Sequence, residues 1–461
     1  MSLSDPYARA EAQLNAPTRD ERLTAARALA EGLASGAIPP VPKTIEVNNH
    51  VHTMYSFSPH SPSSAAWHAL RAGLQAVGIM DHDTVAGCEE MLAAGAILGI
   101  ATTAGFEIRA NFSGTPFSDR VINGPGMPNL AYISIHGIPA GRLARCQEFL
   151  RPFRKARNER NAAMVDRLNG LLRTQGLPAI DFPRDVYEKS TVAEEGTISE
   201  RHILAALSDK LMDGYGRGER LVDFLEGTLE IGLATRVRGY LRNPANPHYL
   251  YDLIGVLKAF YSDAFFIQPN EMECPNVREV LTFSEEIGAI SAYCYLGDVT
   301  ESPTGDKKAE KFEDDFLDEL MPYVCGLGFR AVTYMPPRNT RPQLERIRAI
   351  CDQYGLMQIS GVDINSSRQV FNCPEILDPL FANLITATWA LIGHEKLSTI
   401  AAGSGLFGER AGAACPSLPD RLALFARIGR ALEPHAPTRL TPEIAALAAP
   451  LLGTAADVTS R

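Results

Sequence analysis

Short apolar runs alternate with helix-forming stretches along much of the chain, and several of the runs end in ionisable residues. Residues 44–48, Thr44-Ile45-Glu46-Val47-Asn48, switch between polar and apolar with the period of two that predicts a strand. The runs 76–80 and 100–108 read as further strands, and the Ala- and Leu-rich segments 63–73 and 85–98 as helices between them. That order predicts βα units around a parallel sheet. The rhythm returns in the runs 254–268, 288–296, 328–335 and 356–363, with helices over 275–287 and 341–354. Three segments depart from it. Residues 1–43 form a helical arm over 6–36, stopped by Gly36 and by the prolines of the linker 39–43. Residues 140–240 read as a mainly helical insertion, with an Arg-rich helix over 142–172 and another over 197–211. Residues 376–461 are again helical, broken by glycines at 403–412, so the βα body spans 44–375.

Sites in parallel α/β folds form where strands end, and here those ends carry ligand-type side chains. His50 and His52 stand at i and i+2 on one side of a strand, and two imidazoles converging on one point make half of a divalent-metal site. The next run ends in Asp81-His82-Asp83, whose acids either orient the imidazole or, with Thr84, cap a helix. Glu107 ends the third run and is followed by Arg109, which makes it a ligand or one half of an exposed ion pair. His136 closes the stretch 130–135, His202 lies early in a helix after Ser199-Glu200-Arg201, and Asp363 ends the run 358–362. Each of these three is a weaker signal of the same kind. His68, His248, His394 and His435 have no ligand-rich surroundings and read as structural or surface residues.

Composition narrows the partners. A formal charge of −10 over 461 residues weighs against binding along duplex nucleic acid, which needs clustered Lys and Arg, yet leaves room for a small anionic substrate held by local cations. The eight cysteines, at 88, 146, 274, 294, 325, 351, 373 and 415, contain no C-x-x-C pair, which argues against structural zinc and for a reduced, cytoplasmic setting. No apolar run is long enough to span a bilayer, and the first residues lack the basic-then-apolar pattern of a signal peptide. No membrane partner is expected, and the oligomeric state is left open.

His50-Val51-His52-Thr53, Gly78-Ile79-Met80-Asp81-His82-Asp83-Thr84, Gly105-Phe106-Glu107 and Ser360-Gly361-Val362-Asp363 together resemble the PHP (polymerase and histidinol phosphatase) family. Residues 157–171 and Arg201-His202-Ile203 are similar to its branch of nucleotide and RNA phosphatases. The likeness covers about residues 44–370, and its H-x-H-T and D-H-D-T elements are the most specific. It implies an α/β fold, a distorted (β/α)7 barrel with a helical insertion and helical N- and C-terminal extensions. It further implies two divalent metal ions (Mn, Zn or Fe) and a weakened third position. By the family's pattern, one ion lies among His50, His52, Glu107 and Asp363, a second is bridged by Glu107 and held by His136 and His202, and His82 serves the third.

Three departures bear on that third position. No ligand follows H-x-H at its usual place, where Tyr55-Ser56-Phe57-Ser58 stands, with His60 close enough in sequence to substitute. The alanine-histidine-proline element is Ala292-Tyr293-Cys294, with Asp298 a little beyond as a compensating carboxylate. The closing D-x-H motif is Asp363-Ile364-Asn365, where an amide carbonyl ligates more weakly and prefers harder cations.

The activity these residues imply is phosphoester hydrolysis of a small phosphorylated metabolite or nucleotide by a metal-activated hydroxide. Asp81 and His82 are the candidate catalytic pair, and Arg201 and Arg338 the cations that meet developing charge, with Lys307-Lys308 reading as a solvated loop. Two other readings stand beside it: a binuclear hydrolase of an amide or lactone bond, and a barrel that binds a ligand or partner without catalysis.

Overall fold

The computed structural model of the chain describes residues 6–299 and 310–452, which leaves Lys307 and Lys308 outside the described residues. Its strands are β1 (Val47–Val51), β2 (Ala76–Ile79), β3 (Asp81–His82), β4 (Ala101–Thr103), β5 (Gly105–Asn111), β6 (Leu130–His136), β7 (Ile290–Cys294), β8 (Ala331–Tyr334) and β9 (Met357–Ser360). They pair as a three-stranded parallel sheet, β1-β2-β4, and a six-stranded sheet, β3-β5-β6-β7-β8-β9. Only Met80 separates β2 from β3, and only Ala104 separates β4 from β5, so the chain passes straight from one sheet to the other at two points. These strands are buried on both faces, which is why most read as apolar runs rather than alternating ones.

The expectation of a wholly parallel sheet needs correcting. The large sheet is mixed, because β6 runs antiparallel to both β5 and β7. The segment 112–129 returns the chain to β6 without a crossover helix, and a return of that kind can only pair strands antiparallel. The ladders of the described residues form two sheets. Past the end of β9, Val51 makes an isolated parallel bridge with Ile364: His52 N donates to the Ile364 carbonyl (3.0 Å), and Ile364 N to that of His50 (3.2 Å). Gly361 permits this approach, since a Cβ there would lie 2.4 Å from that of His50.

The run 254–268 is also not a strand. It belongs to the helix Tyr249–Phe265, and its buried residues Leu253, Leu257, Tyr261 and Phe265 recur every four positions, which is helical spacing. The helices Leu143–Thr174, Glu200–Tyr215, Glu219–Gly227, Thr235–Arg242 and Tyr249–Phe265 enclose their own core, including Leu168, Leu207, Leu225 and Leu257. Helix therefore continues past residue 240, to Phe265.

The N-terminal segment forms two helices, Pro6–Gln13 and Arg19–Ala34, the second begun by a capping box between Thr18 and Glu21. Leu14, Leu23 and Leu29 share one hydrophobic core with the strands, and so do Leu384 and Leu391 of the helix Ala382–Ile400. Arg22 is fully buried beneath the first of these contacts. It donates to Glu90 (2.6 and 2.9 Å), to the carbonyls of Ala16 and Pro17 (3.0 Å each) and to the Tyr55 hydroxyl (3.3 Å), while Glu90 also accepts from Ser63 Oγ (2.7 Å). Among the described residues, no helix is long and apolar enough to cross a membrane.

Candidate metal centre

Strand ends bring five of the ligand-type residues together. His50 lies in β1 and His52 just beyond it, His82 closes β3, and the β3–β5 register sets Glu107 directly beside His82. One donor atom from each of His50, His52 and Glu107 lies within 4.8 Å of the other two. The Glu107 carboxylate faces two ways: Oε1 is 3.9 Å from His50 Nε2, and Oε2 is 3.0 Å from His82 Nδ1. His52 Nε2 stands 3.3 Å from Asp363 Oδ1, and the His52 and His82 rings are 4.5 Å apart. Donors around a small divalent ion, each about 2.1 Å from it, are separated by distances of this order.

The electrostatics are those of a cluster short of positive charge. Burial pushes the Glu107 carboxyl up from its ordinary range, and His50 and His52 offset that only in part. Burial likewise keeps His50 low and His82 well below the imidazole range, with His52 and Arg157 adding to the effect at His82. His52 goes the other way, because Asp363, Glu107 and Asp81 outweigh its burial. At half-buried Asp363 the cost of burial is overcome by His52, His50 and Arg201, which hold the carboxyl well below the usual range. The lowered His50 and His82 favour neutral imidazole and the lowered Asp363 favours carboxylate, the protonation states a divalent cation requires of its ligands.

Neighbouring polar groups fix these side chains. Asp81 points away from the donors and accepts from Thr53 N and Oγ1 (2.6 Å each) and from Ser56 Oγ (2.5 Å), which in turn lies 3.3 Å from His52 Nδ1. A chain of bonds thus links Asp81 to the back of His52. Asn365 Nδ2 donates to Asp363 Oδ1 (2.6 Å), and Arg201 donates to the Asn365 carbonyl (3.0 Å). Asn365 thereby presents its amide as an orienting donor to Asp363. Asp83 holds a left-handed backbone (φ 53°), uncommon outside glycine, and is locked there by the Arg157 guanidinium and by a bond from its own N–H to the Glu107 carbonyl (2.8 Å). The middle residue of Asp81-His82-Asp83 is thus the one turned toward Glu107.

The remaining candidates fall into two groups. His136 ends β6 opposite Gly105, two residues from Ser134, which itself stands opposite Glu107. Among the described residues its buried Nε2 has no hydrogen-bond partner, and burial, with His50 nearby, pushes the ring down to about 3. Arg338 donates to the Leu296 carbonyl (3.3 Å) and lies over the Phe312 ring, with Asp363 among its charged neighbours. His60, His202 and Asp298 are engaged elsewhere. His60 pairs with Ser64 Oγ (3.3 Å) and packs against His68 and Phe371, and burial holds it at about 4. His202 accepts from Ser199 N (3.1 Å) as part of a helix cap and packs on Phe57. Asp298 accepts from Phe312 N (2.7 Å) and donates its own N–H to Asp314 (2.8 Å).

Residues not singled out as site residues also line the cluster. Ser134 Oγ and Cys294 Sγ are 3.1 Å apart, and Cys294 Sγ is 3.7 Å from Glu107 Oε1. The parity of β7 carried the signal: Ala292 pairs with Ser134, so Cys294, two residues on, shares its face. Arg157 falls in the segment 157–171 that carries the family resemblance, which assigns it no site role; its buried guanidinium bonds Asp83.

No protein-family model matches the chain, and no curated protein does. Among solved structures, a presumptive metal-dependent phosphoesterase from Bifidobacterium adolescentis aligns at 20% identity and a TM-score of 0.46, over 74% of this chain and 97% of its own. An amidohydrolase from Chromobacterium violaceum, solved with sulfate and no metal, aligns at 15% identity and a TM-score of 0.46, over 73% of this chain and 96% of its own. Likeness at that level leaves the chemistry to the chain's own side chains.

Proposed function

We propose that the chain is a metal-dependent hydrolase that cleaves a phosphoester of a small anionic metabolite or nucleotide at this cluster, with two divalent ions as cofactors. The observation that carries the reading is the convergence of His50, His52 and Glu107 donors within 4.8 Å, in a buried site where His136 Nε2 has no partner among the described residues. A buried nitrogen without a partner is costly, and an ion would supply the missing bond. In this reading β1 and the segment just past β9, bridged at Val51 and Ile364, close the strands into a distorted seven-stranded barrel with the cluster at one mouth.

His50, His52, Glu107 and Asp363 would hold one ion, and Glu107 with His136 a second, while a third position is left weak because Asn365 stands where an imidazole would be needed. Bound divalent ions polarise a phosphoryl oxygen and lower the pKa of water at the site. The chain's own residues do the rest. Asp81, through Ser56, holds the His52 ring in place, and Asn365 does the same for the Asp363 carboxylate. His82, kept neutral by burial, can donate its Nδ1–H to Glu107 and hold that carboxylate in place. Arg201 and Arg338, both within electrostatic reach of Asp363, offset the charge of a phosphoryl group. Those cations favour a phosphoester over an uncharged amide or lactone.

Chelator-stripped protein should lose hydrolysis of p-nitrophenyl phosphate and regain it with Mn²⁺ or Zn²⁺. If protein loaded with either metal turns over amides or lactones but no member of a broad phosphoester panel, the phosphoester reading fails.

A further inference from the structure

We propose that the cleft lined by the helix Leu143–Thr174 and by the short helices Phe182–Tyr187 and Val192–Glu194 is a second binding site, which takes a small aromatic anion. The inference stands apart from the hydrolase reading, since His50, His52 and Glu107 do not line this cleft. Its volume is about 450 Å³, within the range of about 300–1,000 Å³ found for small-ligand sites. The long helix contributes cations, Arg151, Arg154 and Lys155, which spacings of three and four residues set on one face. The short helices contribute Phe182, Tyr187 and Val192, with the two rings 6.4 Å apart.

Arg154 is 6% exposed, and its charge is not fully matched. Two carboxylates act on it, and each is engaged by another arginine. Glu195 lies 3.0 Å from Arg151 and 3.7 Å from Arg154 Nη2, while Asp83 is bonded by Arg157. Three guanidiniums thus share two carboxylates, and the exposed Lys155 and Glu159 offset each other. Burial and the neighbouring Arg151 push the Arg154 guanidinium down, and Glu195 and Asp83 counter that only in part. A buried cation short of negative charge is costly, and an anion in the cleft would supply it. Asn158 adds a second unmet group: its buried Oδ1 has no hydrogen-bond partner among the described residues and can accept from an N–H or O–H of the same ligand.

Glu195 takes part of the place such an anion would fill. Its backbone is held, because its carbonyl accepts from Thr84 Oγ1 (2.7 Å), but its side chain is partly exposed and can rotate off both arginines without breaking that bond. Arg154 is fixed by bonds from Nη1 to the Asp83 carbonyl (3.0 Å) and to Gln147 Oε1 (2.8 Å), which leaves Nη2 toward Glu195. A ligand therefore meets a fixed cation behind a displaceable carboxylate. Phe182 and Tyr187 call for an aromatic body, since ring packing contributes beyond the area it covers.

The test is a calorimetric titration of the full-length chain, stripped with chelator so that no metal holds the probe, with phenylphosphonate, whose C–P bond resists hydrolysis. One site per chain is expected, weakened by salt, with the uncharged benzyl alcohol bound about tenfold more weakly or worse. Arg154→Met should weaken phenylphosphonate about tenfold or more. Glu195→Gln should tighten it about two- to fivefold, as removal of a competing, partly exposed charge allows, and misfolding cannot produce that gain. Binding that appears only when metal is restored would put the probe at the metal centre and overturn the proposal. So would no binding at millimolar probe, equal affinity for benzyl alcohol, or a Glu195→Gln chain that binds no tighter than its parent. None of these results bears on the hydrolase reading.

Discussion

The chain buries charge in two neighbouring places and treats it in opposite ways. Under the N-terminal helices, Arg22 and Glu90 are buried together, and Arg22 is supplied with a carboxylate, two carbonyls and a hydroxyl. At the strand ends, Glu107 is raised by burial, two imidazoles are kept neutral by it, and His136 Nε2 has no partner. The first cluster is complete without any ligand, and the second is not. Burial of charge therefore does not by itself mark a functional site; convergent donors with too few partners set this cluster apart.

Glu107→Gln breaks the comparison most severely if it is wrong. Turnover with metal should fall by about a thousandfold or more, as loss of several kcal/mol of charge stabilisation requires. The metal-free variant should nevertheless melt no lower than the metal-free parent, because the substitution removes a carboxylate that burial disfavours. Arg22→Met should do the reverse. Leaving Glu90 buried without its cation costs about 3–5 kcal/mol, to be read from urea denaturation, while the number of metal ions bound per chain stays the same.

Glu313 lies between the two cases. It is fully buried and accepts from the Tyr293 hydroxyl (3.0 Å) and from Leu296 N (2.9 Å), but its Oε2 has no partner, and burial pushes the carboxyl up to about 8. A raised carboxyl keeps its proton in the folded chain where the unfolded chain has lost it. Its contribution to stability is therefore full below pH 4.5, declines as pH rises, and is exhausted near pH 8. At about 1.4 kcal/mol per unit, Glu313→Gln should remove a decline of several kcal/mol from a denaturation series across that range. An unchanged slope would mean that Glu313 finds a cation in solution.

Much of the site was legible because strand ends are short-range features. His50 and His52 at spacing two, the Asp81-His82-Asp83 cluster and the strand-terminal Glu107 point to one another through strand periodicity alone. What was illegible depended on long-range packing. The antiparallel β6 follows from a loop that has no helical pattern, and the helix Tyr249–Phe265 was read as a strand because a short apolar run carries no decisive period. Asp81 looked catalytic, yet its carboxylate is fully engaged by Thr53 and Ser56, an arrangement no spacing rule reveals. Cys294 gives no such signal, because a lone thiol in Ala292-Tyr293-Cys294 has no ligand-type neighbour at strand spacing.

The most direct measurement is a calorimetric titration of chelator-stripped protein with Zn²⁺, run in parallel on Glu107→Gln. Two ions per chain in the parent and fewer than one in the variant are expected, since Glu107 faces both His50 and His82. Fewer than one ion in the parent, or the same number in both, would contradict a metal centre built on that carboxylate.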